Sequence, residues 1–179
     1  MGADAIRCES LSRGTFSRGR ALMRIDRRRF LRTMAILGAV FAYATIVLGG
    51  TVRGMGAGLA CPDWPLCNGS LVPNVGDAGV LVEYVHRLVA VLTGLFVLFT
   101  LLAAILWFRS EMRLVTLSIV SFAVLATQVV VGAVTITSEN DPAIVTLHLA
   151  LGTATLAAAL IVAMVSLWPP SAASAALDR

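Results

Sequence analysis

The stretch GVLVEYVHRLVAVLTGLFVLFTLLAAILWF, residues 79–108, decides the fold. A helix of about 30 residues is roughly 45 Å long at 1.5 Å per residue, which exceeds the roughly 30 Å hydrocarbon core of a bilayer. Three further apolar runs, each of about 20 residues or more, lie at residues 33–52, 114–136 and 143–168. The sequence therefore predicts an all-α integral membrane protein, in which residues 33–168 form a bundle of four transmembrane helices.

The composition of the whole chain agrees with this prediction. Of its 179 residues, 58% are apolar and 13% are charged, whereas soluble domains average about 45–50% and about 25%. These values exclude an ordinary cytosolic enzyme, a disordered tail and a disulfide-rich secreted module.

The arginines are distributed unevenly between the two ends of the predicted bundle. Nine lie in the N-terminal segment of residues 1–32, two in the turn of residues 109–113 and one in the tail of residues 169–179, whereas the loop of residues 53–78 contains only Arg53. Positively charged loops stay cytoplasmic. We therefore expect a multi-pass protein of the cytoplasmic membrane with both termini in the cytoplasm. The positive charge serves topology, and no nucleic-acid partner is expected.

The two histidines of the chain lie at corresponding positions in two of the apolar runs. His86 comes about seven residues after the start of the second run, and His148 about five residues after the start of the fourth. Both runs are expected to cross from outside to inside, which places both imidazoles roughly 8–10 Å below the outer boundary. Gly152, one turn after His148, leaves room for a flat macrocycle. We interpret the pair as axial ligands of one haem iron; the alternative is that each imidazole bonds a neighbouring helix carbonyl.

Glu83 and Arg87 flank His86 in the same apolar run. Ionisable groups in a membrane span cost about 2.5–3.5 kcal/mol or more and are candidates for a functional role. Arg87 lies four residues after Glu83, so it could simply neutralise the carboxylate. A carboxylate at the mouth of a haem pocket could instead move protons or stabilise developing positive charge. Spacing alone leaves both roles open.

The predicted outer loop contains two cysteines in the segment CPDWPLC, residues 61–67. Disulfides persist on the outer side of the membrane, and Cys61 and Cys67 are close enough in sequence to close a small ring. Trp64, between them, can lie in the membrane interface. The pair is either a structural staple for the loop or a redox pair, and the residues leave these alternatives open.

Five motifs resemble those of the haem A synthase family. They are GGTVR at residues 49–53, GLACPDWPLCNG at residues 58–69, EYVHR at residues 83–87, QVVVGAVT at residues 128–135 and TLHLALG at residues 146–152. Their order and spacing together make the resemblance specific over about residues 33–165.

The resemblance implies an oxidoreductase of haem A biosynthesis, which serves cytochrome oxidase assembly. The expected reaction oxidises the C8 methyl of haem O to the formyl group of haem A in two oxidation rounds. By matching motif, Glu83 corresponds to the catalytic glutamate beside the reacting side of the substrate. His86 and His148 correspond to the pair that holds the substrate haem. Cys61 and Cys67 correspond to an outer-loop pair whose disulfide shapes the site or couples it electronically.

The resemblance also implies partners, because usual members have eight spans in two related four-helix halves. This chain resembles the N-terminal half, and haem b is expected as a cofactor in the other half. We therefore expect either a homo-oligomer or pairing with a separately encoded second half. Haem O synthase (protohaem farnesyltransferase) and an electron acceptor such as a quinone are the other expected partners.

Two rival functions use some of the same residues. A b-type membrane cytochrome with one bis-histidine haem needs His86 and His148 but has no use for Glu83 or the CPDWPLC segment. A disulfide-generating quinone oxidoreductase also has four spans, but it usually needs a second cysteine pair. The predicted outer turn of residues 137–142 contains no cysteine, which argues against that class.

Overall fold

The computed structural model describes residues 3–168, with side chains from Asp26 onward. The described residues form helices α1 (Ala3–Gly54), α2 (Ala78–Trp107), α3 (Met112–Thr137) and α4 (Pro142–Leu167). All four are long and apolar enough to cross a membrane; in α1 the candidate span is Asp26–Gly54. The predicted all-α fold with four membrane helices is confirmed. The predicted cytoplasmic tail of residues 169–179 lies outside the described residues.

Side-chain caps set the start of the two helices that carry the histidines. The Asp77 carboxylate accepts hydrogen bonds from the amides of Gly79 and Val80 at the start of α2. Asp141 does the same at the start of α4, where Pro142 occupies the first turn. An aspartate in this position satisfies amides that have no partner within the helix, so each cap fixes where its helix begins relative to the histidine.

The four helices form a closed ring of neighbours. Helix α1 packs against α2 and α4, and α3 packs against the same two helices. Helices α2 and α4 therefore run in the same direction and face each other across the bundle. We call the end that carries the loop of residues 55–77 and the turn of residues 138–141 the outer end, and the opposite end the inner end.

The inner end contains the hydrophobic core. Its buried residues come from all four helices and the α2–α3 turn: Leu31, Ala35, Ala103, Ala104, Phe108, Leu114, Val162 and Ala163. Alanine predominates among them, which allows the helix backbones to approach closely in a membrane, where van der Waals packing drives association. The inner end is accordingly the tightly packed part of the bundle.

Arginines of α1 tie the inner end together. Arg28 forms an ion pair with Glu111 in the α2–α3 turn, and its guanidinium lies 4.6 Å from the centroid of the Phe108 ring. Arg32 donates a 2.9 Å hydrogen bond to the backbone oxygen of Ser166 in α4. These contacts join α1 to the ends of three other helices, in addition to any role in membrane orientation.

We expect Leu114→Ala to destabilise the bundle by about 2 kcal/mol or more, because it leaves a cavity in a closely packed core. Leu114 is 1% exposed. The free energy of unfolding in mixed micelles measures the effect. Ile119→Ala on the same helix is the matched control, because Ile119 is 49% exposed. Equal losses in the two variants would contradict this packing.

Candidate functional site

Arg87 connects helix α2 to the outer loop (residues 55–77). Its Nη1 donates to the backbone oxygens of Asp63, at 2.8 Å, and Leu66, at 2.7 Å. Its Nη2 donates to the backbone oxygen of Cys61 and to Glu83 Oε1, both at 2.6 Å. One guanidinium thus binds three loop carbonyls and one carboxylate, a use of its fixed fork of donors that an ammonium group could not reproduce.

Glu83 is the buried partner of Arg87, with 4% of its surface exposed. Its Oε1 pairs with Arg87, and its Oε2 accepts a 2.9 Å hydrogen bond from the backbone amide of Cys61. A buried carboxylate needs such compensation. Neutralisation of Glu83 by Arg87 is therefore observed, and the pair also fixes the start of the CPDWPLC segment above α2.

The outer loop is closed by a disulfide between Cys61 and Cys67, both of which are buried. Within the ring, Asp63 accepts hydrogen bonds from the amides of Gly69, at 2.7 Å, and Asn68, at 2.6 Å. The Gly69 hydrogen bond is the main reason that the pKa of Asp63 lies below its usual value, with help from Asn68 and the charge of Arg87. The disulfide, the arginine and the aspartate together give this loop a defined shape.

Two other loop residues face different surroundings. Trp64 precedes a cis proline peptide and is 52% exposed, so its ring is available to the membrane interface. Gly58 faces the turn between α3 and α4: a Cβ added there would lie 2.9 Å from the Asn140 side-chain amide. Asn140 itself has a positive φ of 64°. The loop and the turn therefore meet at the outer end.

His86 lies on α2 one turn below Glu83 and packs against α1. Its Nδ1 is 3.1 Å from the backbone oxygen of Thr45. A carbonyl only accepts, so Nδ1 carries the hydrogen and the Nε2 lone pair is available for a metal. The ring lies against Gly49, where an added Cβ would be 3.0 Å from its Cε1 atom. The ring is thus held in one orientation by α1.

His148 lies on α4 and packs against α3 in the same manner. A Cβ added at Gly132 would be 2.9 Å from the Cε1 atom of its ring. Its Nε2 is 3.4 Å from Nε2 of Gln128, whereas its Nδ1 is buried and has no hydrogen-bond partner. Gly152, one turn further along α4, lies against the same Gln128 amide. The bare structure therefore leaves one nitrogen of this imidazole unsatisfied.

These donors fit a haem better than a bare metal ion. Among the described residues there is no group of three or more histidine, cysteine or acidic side chains that could hold a metal ion. A porphyrin supplies four nitrogens of its own, so two imidazoles suffice for its iron. The free Nε2 of His86 and the unsatisfied Nδ1 of His148 meet that requirement from two helices that face each other.

Four further residues contribute to the histidine sites and were not predicted to do so from the sequence: Gly49, Gly132, Thr45 and Gln128. A signal was present, because Gly49 follows Thr45 by four residues and Gly132 follows Gln128 by the same interval. Each glycine allows a histidine of the following helix to approach. The residue one turn earlier contacts the same ring, Thr45 through its backbone oxygen and Gln128 through its side-chain amide. Helices α1 and α2 thus use the same arrangement as α3 and α4.

Comparison with known proteins assigns the family. Residues 32–79 and 75–178 match the COX15–CtaA family, described as cytochrome oxidase assembly protein. The chain belongs to this family. It is also 28% identical over 137 residues to the Heme A synthases of Bacillus mycoides (strain KBAB4) and Bacillus cereus (strain AH187). The alignment covers 75% of the chain and 43% of each relative, so the matched part of the chain corresponds to less than half of those proteins.

We expect Arg87→Lys to loosen the outer loop, because an ammonium group cannot bind three carbonyls and Glu83 at once. A hydrogen bond lost from this set costs about 1–3 kcal/mol where its acceptor stays buried. The rate at which a membrane-impermeant phosphine reduces the Cys61–Cys67 disulfide measures the effect and should rise at least about tenfold. Arg53→Lys is the control, because Arg53 is exposed. An unchanged rate in Arg87→Lys would show that the loop does not depend on this guanidinium.

Proposed function

We propose that this family member is a haem A synthase that oxidises the C8 methyl of haem O to the formyl group of haem A. The observation that carries the proposal is the pair of imidazoles on α2 and α4, the two helices that face each other across the bundle. Each lies against a glycine of its neighbouring helix, and each has a ring nitrogen without a protein partner. Membership of the family and the similarity to Heme A synthases support the choice of substrate.

His86 and His148 would hold the haem from opposite sides. The haem supplies a redox-active iron and, as haem O, the methyl group that is oxidised. The Thr45 carbonyl fixes the hydrogen of His86 on Nδ1, so the ring needs no tautomer change before binding. Because the site lies among membrane helices, a lipophilic porphyrin can reach it from the bilayer.

Glu83 is the proposed catalytic carboxylate. It precedes His86 by three residues and therefore lies on the same face of α2, one turn nearer the outer end. There its oxygens can accept a proton released from the substrate or stabilise positive charge that develops on the reacting carbon. Arg87 pairs with the carboxylate and holds it in place, while the disulfide loop closes the site above it.

The reaction requires partners outside this chain. Conversion of a methyl to a formyl group takes one oxygen atom from water and releases four protons and four electrons. This corresponds to two rounds of two-electron oxidation, each reducing an acceptor such as a quinone to its quinol. Haem O synthase would supply the substrate. A haem b cofactor would occupy a second four-helix unit, either another copy of this chain or a second half that pairs with it. We propose that this chain lies in the cytoplasmic membrane with both of its termini in the cytoplasm.

One observation favours a second candidate, a b-type bis-histidine cytochrome for electron transfer. Both oxygens of Glu83 already accept hydrogen bonds, from Arg87 and from the Cys61 amide. If Glu83 has only this structural role, the protein needs no catalytic carboxylate, which is compatible with electron transfer. The two functions differ in their product, which makes them easy to separate.

We expect membranes that contain this chain and a haem O synthase to accumulate haem A or its hydroxymethyl precursor. Acid–acetone extraction, chromatography and mass spectrometry of the haems measure this. Membranes with the haem O synthase alone are the control. Haem O or haem b as the only extracted haem, even after a second-half protein is added, would favour the cytochrome.

We expect Glu83→Gln to lower haem A formation by about 100-fold or more, because an amide cannot accept the proton. The amide oxygen still accepts a hydrogen bond in the outer loop, so bound haem should remain near the wild-type amount. Glu139→Gln, in the exposed outer turn, is the matched control. Normal haem A formation in Glu83→Gln would remove Glu83 from the chemistry and leave it a structural role.

A further inference from the structure

We infer that Gln128 of α3 positions His148 as a haem ligand by accepting the hydrogen of the imidazole nitrogen that does not bind iron. This inference rests on the proposed haem-binding function. Gln128 and His148 contact each other, and each has a buried polar atom without a hydrogen-bond partner. No other contacting pair of described side chains shares this property. The atoms are Gln128 Oε1 and His148 Nδ1.

The chemistry of imidazole ligation explains why an acceptor is needed. A neutral imidazole that gives one nitrogen to iron carries its hydrogen on the other, and metal-bound histidines almost always donate that hydrogen to an acceptor. For His86 the acceptor is the Thr45 carbonyl, 3.1 Å from Nδ1. His148 has no backbone acceptor of this kind, and the bilayer core supplies no water.

Gln128 is placed to take that role. Its amide nitrogen lies 3.4 Å from His148 Nε2, so its oxygen is one rotation of the amide away from the ring. The oxygen and nitrogen of a glutamine amide exchange places by that rotation, and the hydrogen-bond network decides between them. When His148 carries its hydrogen on Nε2, the amide of Gln128 rotates so that Oε1 faces the ring. Oε1 then accepts that hydrogen and is no longer without a partner.

The surrounding space holds both groups in register. Gly132 on α3 admits the ring, because an added Cβ would come within 2.9 Å of Cε1. Gly152 on α4 admits the amide, because an added Cβ would come within 3.1 Å of Gln128 Nε2. Packing alone would be served by an aliphatic residue, and a buried amide without a partner is costly in a membrane. The slot therefore fits a glutamine that binds the ligand ring.

The test compares Gln128→Leu and Gln128→Glu in the full-length chain, purified in detergent and titrated with haem b as the probe. Gln128→Leu keeps the volume and removes the acceptor, so haem affinity should fall about 10- to 100-fold and the low-spin ferric resonance should shift. Gln128→Glu keeps an acceptor. It should restore affinity and lower the reduction potential, because a carboxylate gives the ring more imidazolate character.

Thr127→Val is the matched control. Thr127 is adjacent to Gln128 and exposed, and its hydroxyl donates a hydrogen bond to the backbone oxygen of Ala123 in its own helix. It should leave affinity, spectrum and potential unchanged. Wild-type affinity and spectrum in Gln128→Leu would overturn the inference while leaving the proposed function intact. Equal impairment in Gln128→Leu and Gln128→Glu would show that Gln128 only packs. A wild-type chain that binds no haem would overturn the proposed function and this inference together.

Discussion

The guanidinium of Arg87 carries the constraint on which the outer half of the molecule depends. A full positive charge on a membrane helix is tolerated only where its donors are paired, and here four hydrogen bonds pair them with Glu83 and three loop carbonyls. The same bonds bring the disulfide ring down onto α2. The position of the loop, the pairing of Glu83 and the closure above His86 therefore follow from one guanidinium.

The two halves of the bundle divide the work of folding and function. The inner end is packed by alanine-rich helix faces and tied by Arg28 and Arg32. The outer half gives up some of that packing for two glycine slots that hold imidazoles. The repetition of this slot in α1–α2 and α3–α4 places one imidazole on each of two helices that face each other. The buried apolar core therefore lies at the inner end, and the two imidazoles lie nearer the outer end.

The sequence predicted those features that depend on residues close together in the chain, such as the length of an apolar run or the spacing of two cysteines. Apolar runs long enough to span a bilayer predicted all four helices, and the close spacing of Cys61 and Cys67 on a single loop favoured the ring that the structure contains. The spacing of Glu83 and Arg87 allowed the ion pair that the structure contains, without deciding between it and a catalytic role. The segment boundaries at residues 32 and 169, the membrane orientation and the roles of the site residues stay predictions.

The features that were missed depend on packing between helices. The carbonyl partners of Arg87 lie 21 to 26 residues away in the chain, in a loop without secondary-structure periodicity. Gly49 and Gly132 each lie against an imidazole of a different helix. This contact depends on how the helices pack, so it could not be predicted from the sequence of either helix. Gln128 belonged to a family motif, but its contact with His148 of the next helix could not be predicted from its position in the sequence.

The central claim is that His86 and His148 together hold one haem. The most direct measurement is the electron paramagnetic resonance spectrum and haem content of the purified ferric protein, compared with His86→Ala and His148→Ala. The account predicts a low-spin bis-imidazole signal in the wild type. Each variant should lose that signal, with weaker haem retention or a high-spin signal. An unchanged low-spin signal in either variant would contradict the account, because the iron would then have a ligand other than this pair.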